Sequence, residues 1–316
     1  MLSGLQDQLQ GRLLPLQSWL FPRRVYLQLE DRAITAMALE GTRIVWLERV
    51  PLPVGLCDNG EAVRADSLAD LIGDLFAERG YTGARVDAVL APAASQMRLV
   101  QWPDGRWPDD PEHTLALHES ELNLRTALQH LDLQLVDLDR DPPTSLVVSV
   151  PGAVLDRWIE VFGMAGASLD RLEASKFCVC RAVAPLLTEG DALVVQLEPH
   201  RSSLLILENM LPAYERRLPG AENLDAVRDE LQRCLTFWRE ARPSRSIESP
   251  LLLVHGSGLA DPSRVAELAA AIGCSWQSID PLVQGWLVDV SPDFGEHPEG
   301  SALTALWGLA ATEVVG

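Results

Sequence analysis

Three groups of residues combine side chains and spacings that could do chemistry. The first is His255-Gly256-Ser257-Gly258, directly after the apolar run Leu251–Val254. Glycines after a strand can cradle phosphate oxygens, and a serine near a histidine can signal a hydrolase nucleophile. The Gly-x-Ser-x-Gly frame of a nucleophile elbow is missing, so the segment reads as a plain strand-to-helix turn. The second group is Cys178-Val179-Cys180, on a helical pattern in which positions two apart face different ways, so it makes no paired metal site. With Cys57, Cys234 and Cys274 the cysteines form an odd set without a repeated Cys-x-x-Cys spacing, which fits buried thiols in a reducing compartment. The third group is a pair of tripeptides, Gln28-Leu29-Glu30 and Gln196-Leu197-Glu198, each closing an apolar run and each followed by a polar turn.

Composition narrows what these groups could serve. A length of 316 residues suggests two or three compact units. Net charge is −19, from 45 acidic and 26 basic residues, and such a surface repels a nucleic-acid backbone and most anionic lipid. Lys176 is the one lysine, so no P-loop lysine stands elsewhere. The N-terminus lacks the pattern of a signal peptide and no stretch of about 18 apolar residues occurs, so the expectation is a cytoplasmic protein.

Positioning falls to an alternation of strands and helices. Val25–Leu29, Ala33–Leu39 and Arg43–Val50 read as strands joined by tight turns, followed by a helix from Ser67 to Arg79 and strands at Val86–Leu90 and Met97–Gln101. A helix is expected over Glu112–His130, strands at Leu133–Leu138 and Leu146–Val150, and a helix over Val154–Met164 with Leu155, Trp158, Ile159 and Phe162 inward. The second tripeptide lies 168 residues after the first and opens the same strand-turn-strand-turn-strand pattern, through Leu204–Leu207 and Pro212–Arg217. Two such copies, each followed by helices, are what a duplicated α/β clamp would show.

At these hairpins the chain resembles the actin-like superfamily and, within it, the PilM family of type IV pilus assembly proteins. That family opens with Ile-Gly-Ile-Asp-Ile-Gly-Ser-Ser-Ser-Val-Lys-Leu-Val-Glu-Leu, and Val25–Leu39 matches it in length and alternation without a gap. In order along the chain follow Leu52-Pro53, Gly60, the Leu169–Glu173 strand after Ala165-Gly166, the Gly256-Ser257-Gly258 turn in the place of an adenosine loop, and Ile279-Asp280-Pro281-Leu282. The resemblance implies a duplicated ribonuclease H-like fold with an inserted small subdomain and a reduced second lobe. Its divisions would be an amphipathic segment over 1–24, a first lobe over 25–90 completed by about 173–190 and a helix at 302–310, an inserted subdomain over 91–172, and a shortened second lobe over 191–300. The shortening is expected because Leu224–Glu240 leads almost directly to Leu251, where the family has a further subdomain.

Departures from the family pattern bear on function. An actin-like ATPase wraps phosphates in the two hairpin turns, using an Asp for metal or water and a Gly for close backbone approach. The Asp positions fall on Gln28 and Gln196 and the Gly positions on Glu30 and Glu198, with Asp31 and Arg201 in the same turns. Carboxylates there repel a triphosphate. The expectation is a protein that is not an enzyme, with no catalytic residue, no metal and no ATP-magnesium cofactor. The resemblance implies a scaffold at the inner face of the inner membrane that grips the N-terminal cytoplasmic peptide of a PilN-like membrane protein, in a groove near Val86–Met97 and Leu146–Val150. It also implies contact with a pilus motor ATPase and platform protein. An ATP-dependent filament former, a small-substrate kinase of this fold and a type II secretion scaffold remain the alternatives.

Two further segments invite partners. Leu2, Leu5, Leu9, Leu13, Leu16 and Leu20 form an amphipathic stripe, with Trp19, Phe21, Arg23 and Arg24 at its end, suited to a membrane surface, a partner groove or the protein's own body. Pro103–Glu112, flanked by Trp102 and holding Trp107, is either an interaction loop or a solvated turn.

Overall fold

Val25, Leu27 and Leu29 alternate with Tyr26 and Gln28, yet all five are buried, so the strand they form must be covered on both faces. A computed structural model, which describes residues 23–102, 105–122, 124–138, 141–187, 191–208, 211–241, 251–258, 261–288 and 300–314, shows how. The amphipathic stripe over 1–22 lies outside the described residues.

The first sheet contains β1 (Arg24–Leu29), β2 (Ala33–Glu40), β3 (Arg43–Pro51), β6 (Arg85–Leu90) and β10 (Ser168–Ala174), in the order β10-β6-β1-β2-β3, with a short hairpin of β4 (Cys57–Asp58) and β5 (Glu61–Ala62) after β3. The second contains β11 (Ala192–Gln196), β12 (Arg201–Glu208), β13 (Leu211–Pro219), β14 (Leu251–His255) and β15 (Ser275–Ser278), in the order β13-β12-β11-β14-β15. Counted within each sheet by appearance in the chain, both run 3-2-1-4-5, with an antiparallel hairpin side and a parallel side. The repeat seen in the tripeptides is thus a repeat of whole sheets. The parallel strands need helical crossovers. These are α1 (Ala65–Arg79) and α3 (Gly152–Met164) in the first lobe, α5 (Leu224–Ala241) and α6 (Pro262–Ile272) in the second.

Each sheet has its crossover helices on one face and shares the other face with its partner. One core joins Leu27, Trp46, Leu68, Ile72, Trp158 and Phe162. Another joins Leu193, Ile206, Leu231 and Leu268. Between the sheets lies a third core holding Met37, Val89, Cys178, Val194, Leu205 and Leu306. Into it pack α4 (Ser175–Val183) and α7 (Thr304–Val314), the two lobe-ending helices. They approach until a Cβ on Gly308 would sit 1.8 Å from the Cys178 carbonyl oxygen, so that position admits glycine alone. Buried Asp87 on β6 braces the arrangement, accepting from Arg24 at 2.8 Å and from Arg171 at 3.0 Å, while Arg171 also donates to the Leu309 carbonyl.

Between β6 and α3 the chain leaves the first lobe and builds a separate antiparallel sheet, β7 (Gln96–Gln101), β9 (Thr144–Pro151) and β8 (Leu131–Asp137), over a small core of Trp102, Leu115, Leu122 and Val147. This inserted unit ends near Pro151 and not near 172, because α3 covers the first sheet and β10 hydrogen-bonds along β6. After β13 a single 3-10 turn, Ala221–Asn223, leads straight into α5.

Two expectations fail locally. Instead of a helix over Glu112–His130 there is a seven-residue helix, α2 (Pro111–Leu117), and then 3-10 turns at Glu119–Glu121 and Leu128–His130. Tertiary partners take the backbone groups that a longer helix would use. The Leu122 carbonyl accepts from Arg98, the Arg125 amide donates to Gln96, and the Leu128 amide donates to Glu119. In α3 the inward residues are Val154, Trp158, Val161 and Phe162, and Ile159 is exposed. The stripe sits one position around the helix from the expected one, since the Trp158 indole is anchored by donating to the Gly60 carbonyl.

Candidate functional site

The turns after β1 and β11 face a cleft of about 790 Å³ whose walls come from both lobes and from the link into the inserted unit. Of the residues singled out in the sequence, Glu30, Asp31, Gln196, Glu198, Arg201 and Ser257 line it. Gln28 and His255 are buried behind the strand ends, and Gly256 and Gly258 form the floor of the loop.

The first turn is closed by a bond from the Glu30 amide to the Ala33 carbonyl and held at its tip by the Gly60 amide, which donates to Asp31 at 2.7 Å. Glu30 accepts from Gln28 at 2.8 Å and is ion-paired with Arg49 at 3.0 Å. Burial is the main reason its carboxyl is pushed up to about 7, with the charge of Glu198 adding to the rise and Arg49 opposing it. Glu30 and Glu198, one from each lobe, line the same cleft, close enough for the charge of one to act on the other.

The second turn has turned the glycine loop into a receptor for its own side chain. Glu198 accepts from the Ser257 amide at 3.2 Å, from the Ser257 hydroxyl, and from Gln196 at 3.3 Å. The Gly258 amide donates to the Leu197 carbonyl at 2.8 Å, and the Leu197 amide to the His255 carbonyl at 2.7 Å. At Gly256 φ is +110°, and a Cβ there would lie 2.3 Å from the Leu197 oxygen. All three amides of this loop are thus engaged internally, that of Ser257 by the Glu198 carboxylate and those of Gly256 and Gly258 by the Ser301 and Leu197 carbonyls. His255, buried with no compensating charge, is driven down to about 4 and stays neutral at pH 7. Across the cleft Arg201 donates to Asn59 at 2.7 Å, tying the second turn to the first lobe.

Another stretch of wall is basic, and the sequence patterns did not flag it. Lys176, near the start of α4, is ion-paired with Glu215 on β13 and donates to the Ser95 carbonyl at 2.9 Å. Burial lowers its pKa while Glu215 holds it up. Arg125 from the inserted unit and Arg217 from β13 both reach toward the Ala93 carbonyl, at 3.2 and 3.5 Å. Only the solitary lysine hinted at this cluster; its partners are distant in sequence. The groove expected near Val86–Met97 and Leu146–Val150 is mostly buried strand, and Pro92, Ala93, Arg98, Leu99, Val100 and Val150 are the partly accessible positions there.

All five cysteines are free thiols, and burial pushes Cys57 and Cys180 up to about 12, which leaves them unreactive. Among the described residues no group of three or more His, Cys, Asp or Glu is placed to hold a metal ion. Nor is any described helix long and apolar enough to cross a membrane.

Two sheets of identical strand order, clasping a cleft between their first hairpins, define the actin-like fold, and solved structures agree. A PilM–PilN type IV pilus biogenesis complex matches with TM-score 0.74 at 18% identity, over 92% of this chain and 98% of that one. A Bacteroides thetaiotaomicron protein of actin-like ATPase fold matches with TM-score 0.53 at 10% identity, over 90% and 95%. The cytoplasmic domain of EpsL, an inner-membrane component of the type II secretion system of Vibrio cholerae, matches with TM-score 0.50 at 10% identity, over 92% and 95%. Neither a sequence-family model nor a curated protein sequence matches the chain. The fold is thus the actin-like one in its PilM-like form, as the hairpin resemblance implied.

Proposed function

We propose that this chain is an assembly scaffold of a type IV pilus, working at the cytoplasmic face of the inner membrane without hydrolysing ATP. The observation that carries the second half is Glu198 seated on the Ser257 amide and hydroxyl. A nucleotide would have to displace a carboxylate from its hydrogen bonds and then accept its repulsion, and Glu30 adds to this from the facing turn. No carboxylate stands at the Gln28 and Gln196 positions to hold magnesium, so the machinery of phosphoryl transfer is missing at the expected places.

Support for the first half is the likeness in fold to PilM, which was solved as a complex with PilN, and to EpsL, an inner-membrane component of a type II secretion system. A cleft closed by internal bonds gives a rigid clamp, and a clamp suits holding a peptide better than cycling through nucleotide states. The partner in this reading is the cytoplasmic N-terminal peptide of a PilN-like membrane protein. Contacts with a motor ATPase and platform protein belong to the same proposal.

Calorimetric titration of the protein with that peptide, with and without magnesium ATP, tests the reading. Micromolar binding that is indifferent to ATP is expected. Absence of peptide binding together with stoichiometric ATP binding would return the protein to the ATP-using members of its fold.

A further inference from the structure

The cleft departs from the charge of the molecule around it. The whole chain carries −19, yet the cleft walls hold seven Arg and Lys against five Asp and Glu. A basic recess in an acidic surface concentrates small anions that the rest of the protein repels.

Within that recess the positive charge is gathered on one cluster. Glu215 is the carboxylate of the cluster, and it is already engaged by Lys176 and lies 3.8 Å from Arg98. Among the described residues no carboxylate stands within ion-pair distance of Arg125 or Arg217, although both are exposed to the cleft. The two guanidiniums instead converge on one neutral acceptor, the Ala93 carbonyl. Their mutual repulsion is visible at Arg125, which burial and then the charge of Arg217 hold below the usual arginine range. Three chain segments far apart in sequence supply this charge: the inserted unit, the third strand of the second lobe and the start of α4.

We propose that Arg125, Arg217 and Lys176 form a binding site for the oxyanion of a small organic acid or phosphate ester whose apolar body lies along Val54, Pro92 and Ala93. Guanidinium forks match the paired oxygens of a carboxylate or phosphate, and Lys176, ion-paired with Glu215, lies behind them. The cleft, at about 790 Å³, is in the range of pockets for small ligands. Val54, 80% exposed, stands at its mouth. The ligand does not use the hairpin turns, which Glu30 and Glu198 close to anions, so this site is distinct from the lost nucleotide position and independent of the scaffold reading.

The test uses the full chain with two probes, inorganic phosphate and succinate, each against sodium chloride at matched ionic strength, followed by thermal unfolding and by calorimetry. Saturable binding of at least one probe is expected, and the tighter probe tells phosphate from carboxylate ligands. The double variant Arg125→Gln/Arg217→Gln should weaken it by about tenfold or more, because each charge-assisted contact carries about that factor. Arg217→Lys keeps the charge without the fork and should fall between. Arg157→Gln, on the exposed face of α3, should bind as the parent does. Binding that is equal in the double variant and the parent, or no saturable response to either probe, overturns the proposal.

Discussion

Replacing Glu30 by glutamine should stabilise the protein at alkaline pH and leave it unchanged at acid pH. Burial pushes the Glu30 carboxyl from its ordinary 4.5 up to about 7, so the folded protein binds its proton more tightly than the unfolded chain does. Between these values the native state holds more protons, and stability falls as pH rises through about 7. This is the reverse of a carboxylate whose ion pair outweighs its burial. At about 1.4 kcal/mol per pKa unit the full displacement is worth about 3 kcal/mol. The side chain is 16% exposed at the cleft wall and water can reach the ionised form, which reduces the effect to about 1–2 kcal/mol. Glutamine keeps the shape, can accept from Gln28 and cannot ionise. Urea unfolding of parent and Glu30→Gln from pH 3.5 to 8.5 should show no difference at the acid end, an advantage for the variant that grows between about pH 4.5 and 7, and a level difference above that. His255, driven to about 4, loses stability as pH falls below about 6.5, but it does so equally in both proteins and cancels in the difference. A variant less stable than the parent at pH 8, or an offset that does not change with pH, would refute the reasoning that burial and Glu198 oppose ionisation of this residue.

Asp87→Ala should cost about 2–3 kcal/mol in urea unfolding, because Arg24 and Arg171 lose a buried common acceptor but are each 29% exposed and regain some water; a loss under about 0.5 kcal/mol would show that the brace is dispensable. Gly308→Ala should cost about 3 kcal/mol by forcing α4 and α7 apart, read as a lowered thermal midpoint, and an unchanged midpoint would mean that the seam is looser than a 1.8 Å approach requires.

Much of the architecture was legible from local pattern. Strand alternation and turn residues located β1 to β3 and β11 to β13, and the matching of Gln28-Leu29-Glu30 with Gln196-Leu197-Glu198 exposed the duplication, because a repeated hairpin keeps its spacing when most side chains have changed. That Gln and Glu occupy these two turns was also readable, since residue type at a turn is a local property. Other features depended on contacts between distant segments. Arg98, Gln96 and Glu119 capture backbone groups that the Glu112–His130 pattern would have spent on a helix. Strand β10 joins the first sheet because β6 offers a parallel edge, which no pattern within Leu169–Glu173 announces. That Glu198 would sit on Ser257, 59 residues away, or that Arg125 and Arg217 would meet at Ala93, follows from how two sheets and an insertion close around one cleft. Periodicity reports which face of an element is apolar, whereas the electrostatics of a cleft arise from charges that the fold alone makes neighbours.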